Sequence, residues 1–234
     1  MLPSSTVTEI RVGKVKPMFE EAFGGSLKTG IDKQPLDHVS VNVLGMNGDQ
    51  QEESFHGGAD RALLQYDSAH YTQLKTMFPQ SAAHFVAGGF GENIVATGIN
   101  EHTVCIGDIV KIGTVMAQVS QTRSPCFKLN ARFELPGMAE YVQNYAMTGW
   151  FYRVLEAGEI HVGDSIEVVE RPYPQWSIAK VMACLYHDTE NKQAATELAQ
   201  LPELGKEITQ IFARRLATGK IENWAGRLTG KKSN

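Results

Sequence analysis

At 234 residues, with 42% hydrophobic and 21% charged side chains, the chain carries enough apolar material for a true core, in one large domain or a medium domain with an appendage. A formal charge of −4 excludes a dedicated nucleic-acid binder, whose affinity comes mainly from neutralising phosphates. Three widely separated cysteines (Cys105, Cys126 and Cys184) exclude a disulfide scaffold and C-x-x-C redox chemistry, and the absence of a basic-then-apolar leader or a bilayer-length run predicts a soluble, cytoplasmic protein with no membrane partner.

In chain order, "TVTEIRVGKVKP" (6–17) and "HVSVNVLG" (38–45) alternate apolar and polar residues, the period of half-buried strands. "RALLQY" (61–66) is a short apolar run. "DSAHYTQLKTMFP" (67–79) then changes period: Asp67 is placed to cap, Tyr71, Leu74 and Phe78 share one helical face, and Pro79 stops the helix. Strand patterns return in "GENIVATG" (91–98), "DIVKIG" (108–113) and "TVMAQVSQ" (114–121), and "PGMAEYVQNYAMTG" (136–149) opens on proline and closes on glycine like a helix. "GWFYRVLEAG" (149–158) and "DSIEVVERP" (164–172) are strands again. "VCIGDIVKI" (104–112) and "IHVGDSIEV" (160–168) share a Gly-Asp reversal, one turn chemistry used twice. Many short strands with glycine turns predict a mainly β, α+β fold built as a barrel-like domain over 1–170.

The prolines of "ERPYPQWS" (170–177) mark a boundary. Beyond it "SIAKVMACLYH", "ENKQAATELAQL" and "ELGKEITQIFARRLATGK" carry helical apolar stripes, predicting a small three-helix domain over 171–234 with Trp224 and Leu228 docking its end. From Leu204 on, Lys206, Arg214, Arg215, Lys220, Arg227, Lys231 and Lys232 outnumber Glu207 and Glu222. That basic tail is read as a solvated helix face, and no nucleic-acid partner is expected.

Three clusters carry candidate chemistry. In "SQTRSPCFKLN" (120–130), Cys126 stands between Arg123 and Lys128. Positive charge favours the thiolate, which is the nucleophilic and metal-binding form. Buried, inert packing is the alternative, and it suits Cys105 and Cys184 well. In "FHGGADRALLQY" (55–66), His56 precedes Gly57 and Gly58, a pair able to bend sharply and present N–H groups to an anion, followed by Asp60 and by Arg61, a bidentate anion clamp. An ordinary turn with a surface ion pair reads equally from those residues. "GGFGENIVATG" (88–98) lacks dinucleotide spacing and places Glu92 and Asn93 at the mouth of a strand.

Together and in this order, "HGGADRAL", "GGFGENI", "QVSQTRSPCFKLN" and "GWFYRVLEAGEIHVGD" resemble the MOSC domain, the molybdenum cofactor sulfurase C-terminal family. The tail "RRLATGKIENWAGRL" resembles the three-helix extension of its bacterial YiiM-type subgroup. The resemblance implies a β-barrel-like fold and a role with molybdenum and its molybdopterin, with Cys126 as metal ligand or persulfide carrier. It carries no pyridoxal-phosphate domain, and so no cysteine desulfuration. The implied activity is reduction of N-hydroxylated small molecules, such as N-hydroxylated purine bases, with electrons from a separate reductase; a sulfur carrier and a non-catalytic cofactor-binding module are the alternatives. By residue type, Gly57, Gly58, Arg61, Glu92, Asn93, Arg123, Ser124, Lys128 and Asn130 are candidate cofactor contacts. His56 is the candidate proton donor and Asp60 its orienting carboxylate. The apolar helices are consistent with a homodimer.

Overall fold

Alternation of apolar and polar residues lets each strand offer one face to a shared core, and the chain uses this to curl the largest of its three sheets around its interior. The computed structural model describes residues 2–19, 27–52 and 57–230. Its strands are β1 (Ser4–Thr6), β2 (Glu9–Val12), β3 (Lys16–Met18), β4 (Leu27–Thr29), β5 (Gln34–Leu36), β6 (His38–Asn42) and β7 (Gly45–Met46). They continue with β8 (Leu63–Asp67), β9 (Ile94–Ala96), β10 (Ile109–Ile112), β11 (Val115–Thr122), β12 (Trp150–Glu156), β13 (Gly158–His161) and β14 (Ser165–Glu170). The helices are α1 (Ala69–Met77), α2 (Lys128–Arg132), α3 (Met138–Asn144), α4 (Ile178–Tyr186), α5 (Lys192–Ala199), α6 (Lys206–Thr218) and α7 (Ala225–Thr229).

Nine strands form a half-barrel in the order β1-β14-β10-β11-β12-β8-β9-β2-β5. All pairs are antiparallel except β8 with β9. Pro35, in the edge strand β5, stands opposite Arg11 of β2. The expected α+β class with a barrel-like sheet and trailing helices is what forms. Both Gly-Asp reversals are the same turn: Gly107 and Gly163 take φ of 81° and 96°, and Asp108 and Asp164 accept from the backbone N–H of Cys105 (2.9 Å) and His161 (2.7 Å).

Two apolar clusters fill the molecule. One runs from the sheet interior (Ile10, Leu63, Val119, Trp150, Tyr152) without a break into the helices (Val181, Leu185, Leu198, Phe212). The second, on the other side of the site loop, gathers Tyr66, Phe85, Phe90, Phe133, Met138 and Leu228. Trp224 packs against both. Sequence signals explain the trailing helices. Ser177 and Asn191 accept from the N–H groups of Lys180 (3.2 Å) and Ala194 (2.9 Å) as N-caps, and Gly219 ends α6 at φ 67°.

A buried carboxylate ties these parts together. Glu101 is fully enclosed; it accepts from the Gly149 N–H (2.6 Å) and pairs with His70 Nε2 of α1 (2.8 Å). Its own carbonyl accepts from Ala179 at the start of α4 (2.8 Å). Burial works against a charged His70, but the hydrogen bond and charge of Glu101, with Asp67 behind, outweigh it and raise the histidine above its ordinary value. A raised folded pKa stabilises the protein fully below the unfolded value, about 6.5, and that contribution is lost as pH rises through the folded pKa. The stability difference between the wild type and His70→Gln is therefore expected to be widest near about pH 6 and to narrow on going alkaline, measured by urea unfolding across pH. Gly149 itself has φ 79°, and a Cβ there would lie 2.4 Å from the Gln65 carbonyl. Gly149→Ala is expected to cost at least about 1–3 kcal/mol from the backbone conformation alone, read in the same unfolding experiment.

Candidate functional site around Cys126

β11 ends at Thr122 and releases a loop that runs into α2. Each of its residues is tied down. The Arg123 N–H donates to the Gly149 carbonyl (3.2 Å), and its Nη2 donates to the Phe90 carbonyl (3.0 Å). The guanidinium carbon lies 5.7 Å from the centre of the Phe90 ring. Nη1 is enclosed and has no hydrogen-bond partner among the described residues. Ser124 Oγ lies 3.1 Å from the Tyr186 hydroxyl at the end of α4. Pro125 is buried and its carbonyl accepts from Arg227 Nη1. Cys126 is half-buried, while Cys105 and Cys184 are buried. For both of those thiols burial pushes the pKa up, which matches the inert packing expected of them.

Arg123 is electrostatically linked to Cys126. Burial lowers its pKa, and the negative form of Cys126 acts first among the groups that restore its charge, ahead of Glu92, Tyr66 and Tyr71. Tyr66 stacks on Phe90 with ring centres 4.3 Å apart and leaves its hydroxyl enclosed without a partner. Burial, then Glu101 and Glu92, keep that phenol neutral far up the pH scale. A partly open thiol thus lies in the field of a cation that still has a donor to give.

The glycine-rich loop at 88–91 supports this arrangement from below. Gly88 and Gly91 take φ of 86° and 75°, and a Cβ on Gly91 would meet Ile31 at 2.8 Å. Glu92 is buried and turned inward: Oε1 accepts from Gly88 N–H (2.7 Å) and the Tyr71 hydroxyl (2.6 Å), and Oε2 accepts from Phe90 N–H (3.1 Å). Asn93 accepts from Leu64 N–H (3.1 Å) and donates to the Arg11 carbonyl and to Asp49. Glu92 thus shapes the loop whose Phe90 carbonyl accepts from Arg123, while Asn93 ties the start of β8 to Arg11 and Asp49. Asn130 likewise holds backbone, accepting from Ala139 N–H (2.8 Å) and donating to the Leu228 carbonyl (2.9 Å).

The second predicted cluster faces the helices. His56 lies outside the described residues. Gly58 takes φ 96°, and Gly57 packs against Gln51. Asp60 is held by Arg153 Nε (2.8 Å) and Nη2 (2.5 Å), and its other oxygen accepts from Lys206 N–H at the start of α6 (3.2 Å). Arg61 pairs with Glu207 and lies 5.6 Å from the Phe151 ring centre. Lys128 donates to the Lys28 carbonyl (3.3 Å). An open cleft of about 310 Å³ bordered by Asp60, Arg153, Leu201 and Lys206, and another of about 420 Å³ beside Thr8 and Leu36, do not include Cys126. Arg215 and Arg227, read from the sequence as part of a solvated basic face, are instead turned inward, Arg215 onto the Cys184 carbonyl and Arg227 onto the Pro125 carbonyl, because those partners lie 31 and 102 residues away.

Removing Glu92 would orphan three donors at once. Each buried unpaired donor costs about 1–3 kcal/mol, so Glu92→Ala is expected to lose about 3 kcal/mol or more in urea unfolding.

Comparison with known proteins matches both the barrel and the helical part of the chain. The MOSC domain model matches residues 52–167, and the YiiM-like, 3-alpha helix domain model matches residues 176–219. Protein YiiM of Escherichia coli (strain K12) is 34% identical over 224 residues, 95% of this chain and 98% of that protein. A protein of Gibberella moniliformis named "Reductase" is 38% identical over 206 residues, 87% of this chain but only 35% of that protein, so the chain spans about a third of that relative's length. The crystal structure of YiiM from Escherichia coli superposes with a TM-score of 0.77, covering 86% of this chain and 94% of that one. The chain therefore belongs to the MOSC domain family, in the group that carries the YiiM-like three-helix domain.

Proposed function

We propose that this chain is a molybdenum-cofactor-dependent reductase of N-hydroxylated compounds, with Cys126 as the protein's ligand to the metal. The observation that carries the reading is the half-exposed Cys126 close to a guanidinium whose enclosed Nη1 has no partner among the described residues. The fungal relative named "Reductase" supports the reaction type. The residues fit the group: a single soft thiolate suits a metal whose cofactor brings further sulfur ligands of its own. An enclosed, unpaired guanidinium N–H suits one of that cofactor's anionic oxygens. Among the described residues no cluster of three or more His, Cys, Asp or Glu stands ready to hold a bare ion.

When bound, the cofactor supplies two-electron redox chemistry. The chain's own residues do the rest. Arg123, held by Phe90 and Gly149, keeps positive charge beside the thiolate and offers Nη1 to an anion. Ser124 and Lys128, on the same loop, add a hydroxyl and an ammonium. Glu92, through Phe90, and Asn130, through Ala139 and Leu228, act as supports around that loop. Converting an N-hydroxyl to N–H with release of water consumes two electrons and two protons. The electrons are assigned to a separate reductase, because the chain carries no flavin or dinucleotide fingerprint, and the proton donor to His56.

Protein purified from a cofactor-producing host is expected to hold about one molybdenum and one pterin per chain, with both lost in Cys126→Ala. Turnover of an N-hydroxylated purine with an added reductase is expected to fall with them. Persulfide on Cys126 without metal would instead favour a sulfur carrier, and bound cofactor without turnover a storage module. His56→Asn is expected to lower the rate by about 10²-fold or more and flatten its pH profile near neutrality; an unchanged profile would remove the proton-donor assignment.

A further inference from the structure

The segment that follows α6 runs back across the molecule to the Cys126 loop and meets it through polar contacts on both sides of the cysteine. Arg227 Nη1 donates to the Pro125 carbonyl, one peptide before Cys126, and the Arg227 carbonyl accepts from Phe127 N–H (2.8 Å), one residue after it. Cys126 is therefore bracketed by one residue of the tail. Arg227 Nη2 donates to Gln143 Oε1 of α3 (2.5 Å), and the Leu228 carbonyl accepts from Asn130 (2.9 Å). The guanidinium carbon stands 5.0 Å from the Trp224 ring centre and 5.5 Å from that of Tyr186, the residue whose hydroxyl meets Ser124. The other end is anchored deep in the bundle. Arg215, buried on α6, donates to the carbonyls of Cys184 (3.0 Å) and Leu185 (2.7 Å) and to Glu222 (2.8 Å).

We propose that residues 221–230 are a strap that sets the position of the Cys126 sulfur, with Arg227 as its positioning residue. This rests on the reading of Cys126 as the reactive thiolate, and it lies beyond the two matched domain regions, the second of which ends at residue 219. The mechanical path is continuous. Arg215 fixes Glu222 and the end of α4; Tyr186 and Trp224 clasp the Arg227 side chain; Arg227 grips the backbone on both sides of Cys126. A bidentate guanidinium is suited to this task because its planar fork fixes direction as well as distance. The strap gives the three-helix unit a part in the chemistry: it holds the thiol of the barrel loop from the side that the sheet does not reach.

The test is the rate at which a neutral alkylating agent, iodoacetamide, modifies each cysteine of the native protein, resolved by peptide mass across pH. Buried Cys105 and Cys184 serve as internal gauges of general loosening. In Arg227→Ala, the rate at Cys126 is expected to change by about tenfold, the effect of one charge-assisted hydrogen bond, while Cys105 and Cys184 stay slow. Arg227→Lys, which reaches one acceptor in place of two, is expected to fall between. If Arg227→Ala does not accumulate, Glu222→Gln, which slackens the anchor, is read in the same way and is expected to move Cys126 in the same direction by less. An unchanged Cys126 rate in these variants, or a parallel rise at all three cysteines, overturns the strap. Because alkylation needs no cofactor, the strap can fail while Cys126→Ala still loses molybdenum, and the molybdenum reading can fail while the strap stands.

Discussion

Taking a guanidinium out of water is unfavourable unless its donors are met, and Arg123 is only partly met. Phe90 supplies a carbonyl and an aromatic face, Gly149 receives the backbone N–H, and the negative form of Cys126 with Glu92 supplies the field that keeps the group charged. The rest of the site follows from holding that one cation still. Glu92 folds the 88–91 loop so that the Phe90 carbonyl points correctly, and Glu101 fixes Gly149 so that its carbonyl is in place. Two buried carboxylates thereby shape the site through the backbone of Phe90 and Gly149.

This explains why the site lies at a seam. The sheet and the helices share one apolar core, and a second, aromatic-rich core sits across the Cys126 loop. A loop pinned between two cores keeps a polar group aimed with little side-chain freedom, which is what a pre-arranged ligand set requires. Trp224 closes the seam by packing against both, and Leu228 of α7 belongs to the second core.

The features legible in the sequence were those written in short-range pattern. Alternation gave away the strands, glycine at positive φ the paired reversals at Gly107 and Gly163, and the serine cap with its apolar stripe the helix at 178. Cys126 and Arg123 could be paired because they are three residues apart. Glu92 and Asn93 read as polar mouth residues because nothing local says which way a strand-end side chain turns; their partners Tyr71, Leu64 and Asp49 lie 21 to 44 residues away. Asp60 reads as the partner of a neighbouring histidine that lies outside the described residues; its partners among the described residues, Arg153 and Lys206, lie 93 and 146 residues on. Arg227 acts on Pro125 across 102 residues, and no periodicity or spacing records such a closure.

A half-barrel, unlike a closed one, leaves margins at which a foreign chain can add itself. At one margin the backbone of β5 carries Pro35 in the middle of its three residues. Having no N–H, that residue offers an incoming β-segment a carbonyl but no donor at the centre of so short a stretch. The same imide that stiffens the border thus weakens it as a template, one of the ways an open sheet margin is kept from pairing with further chains.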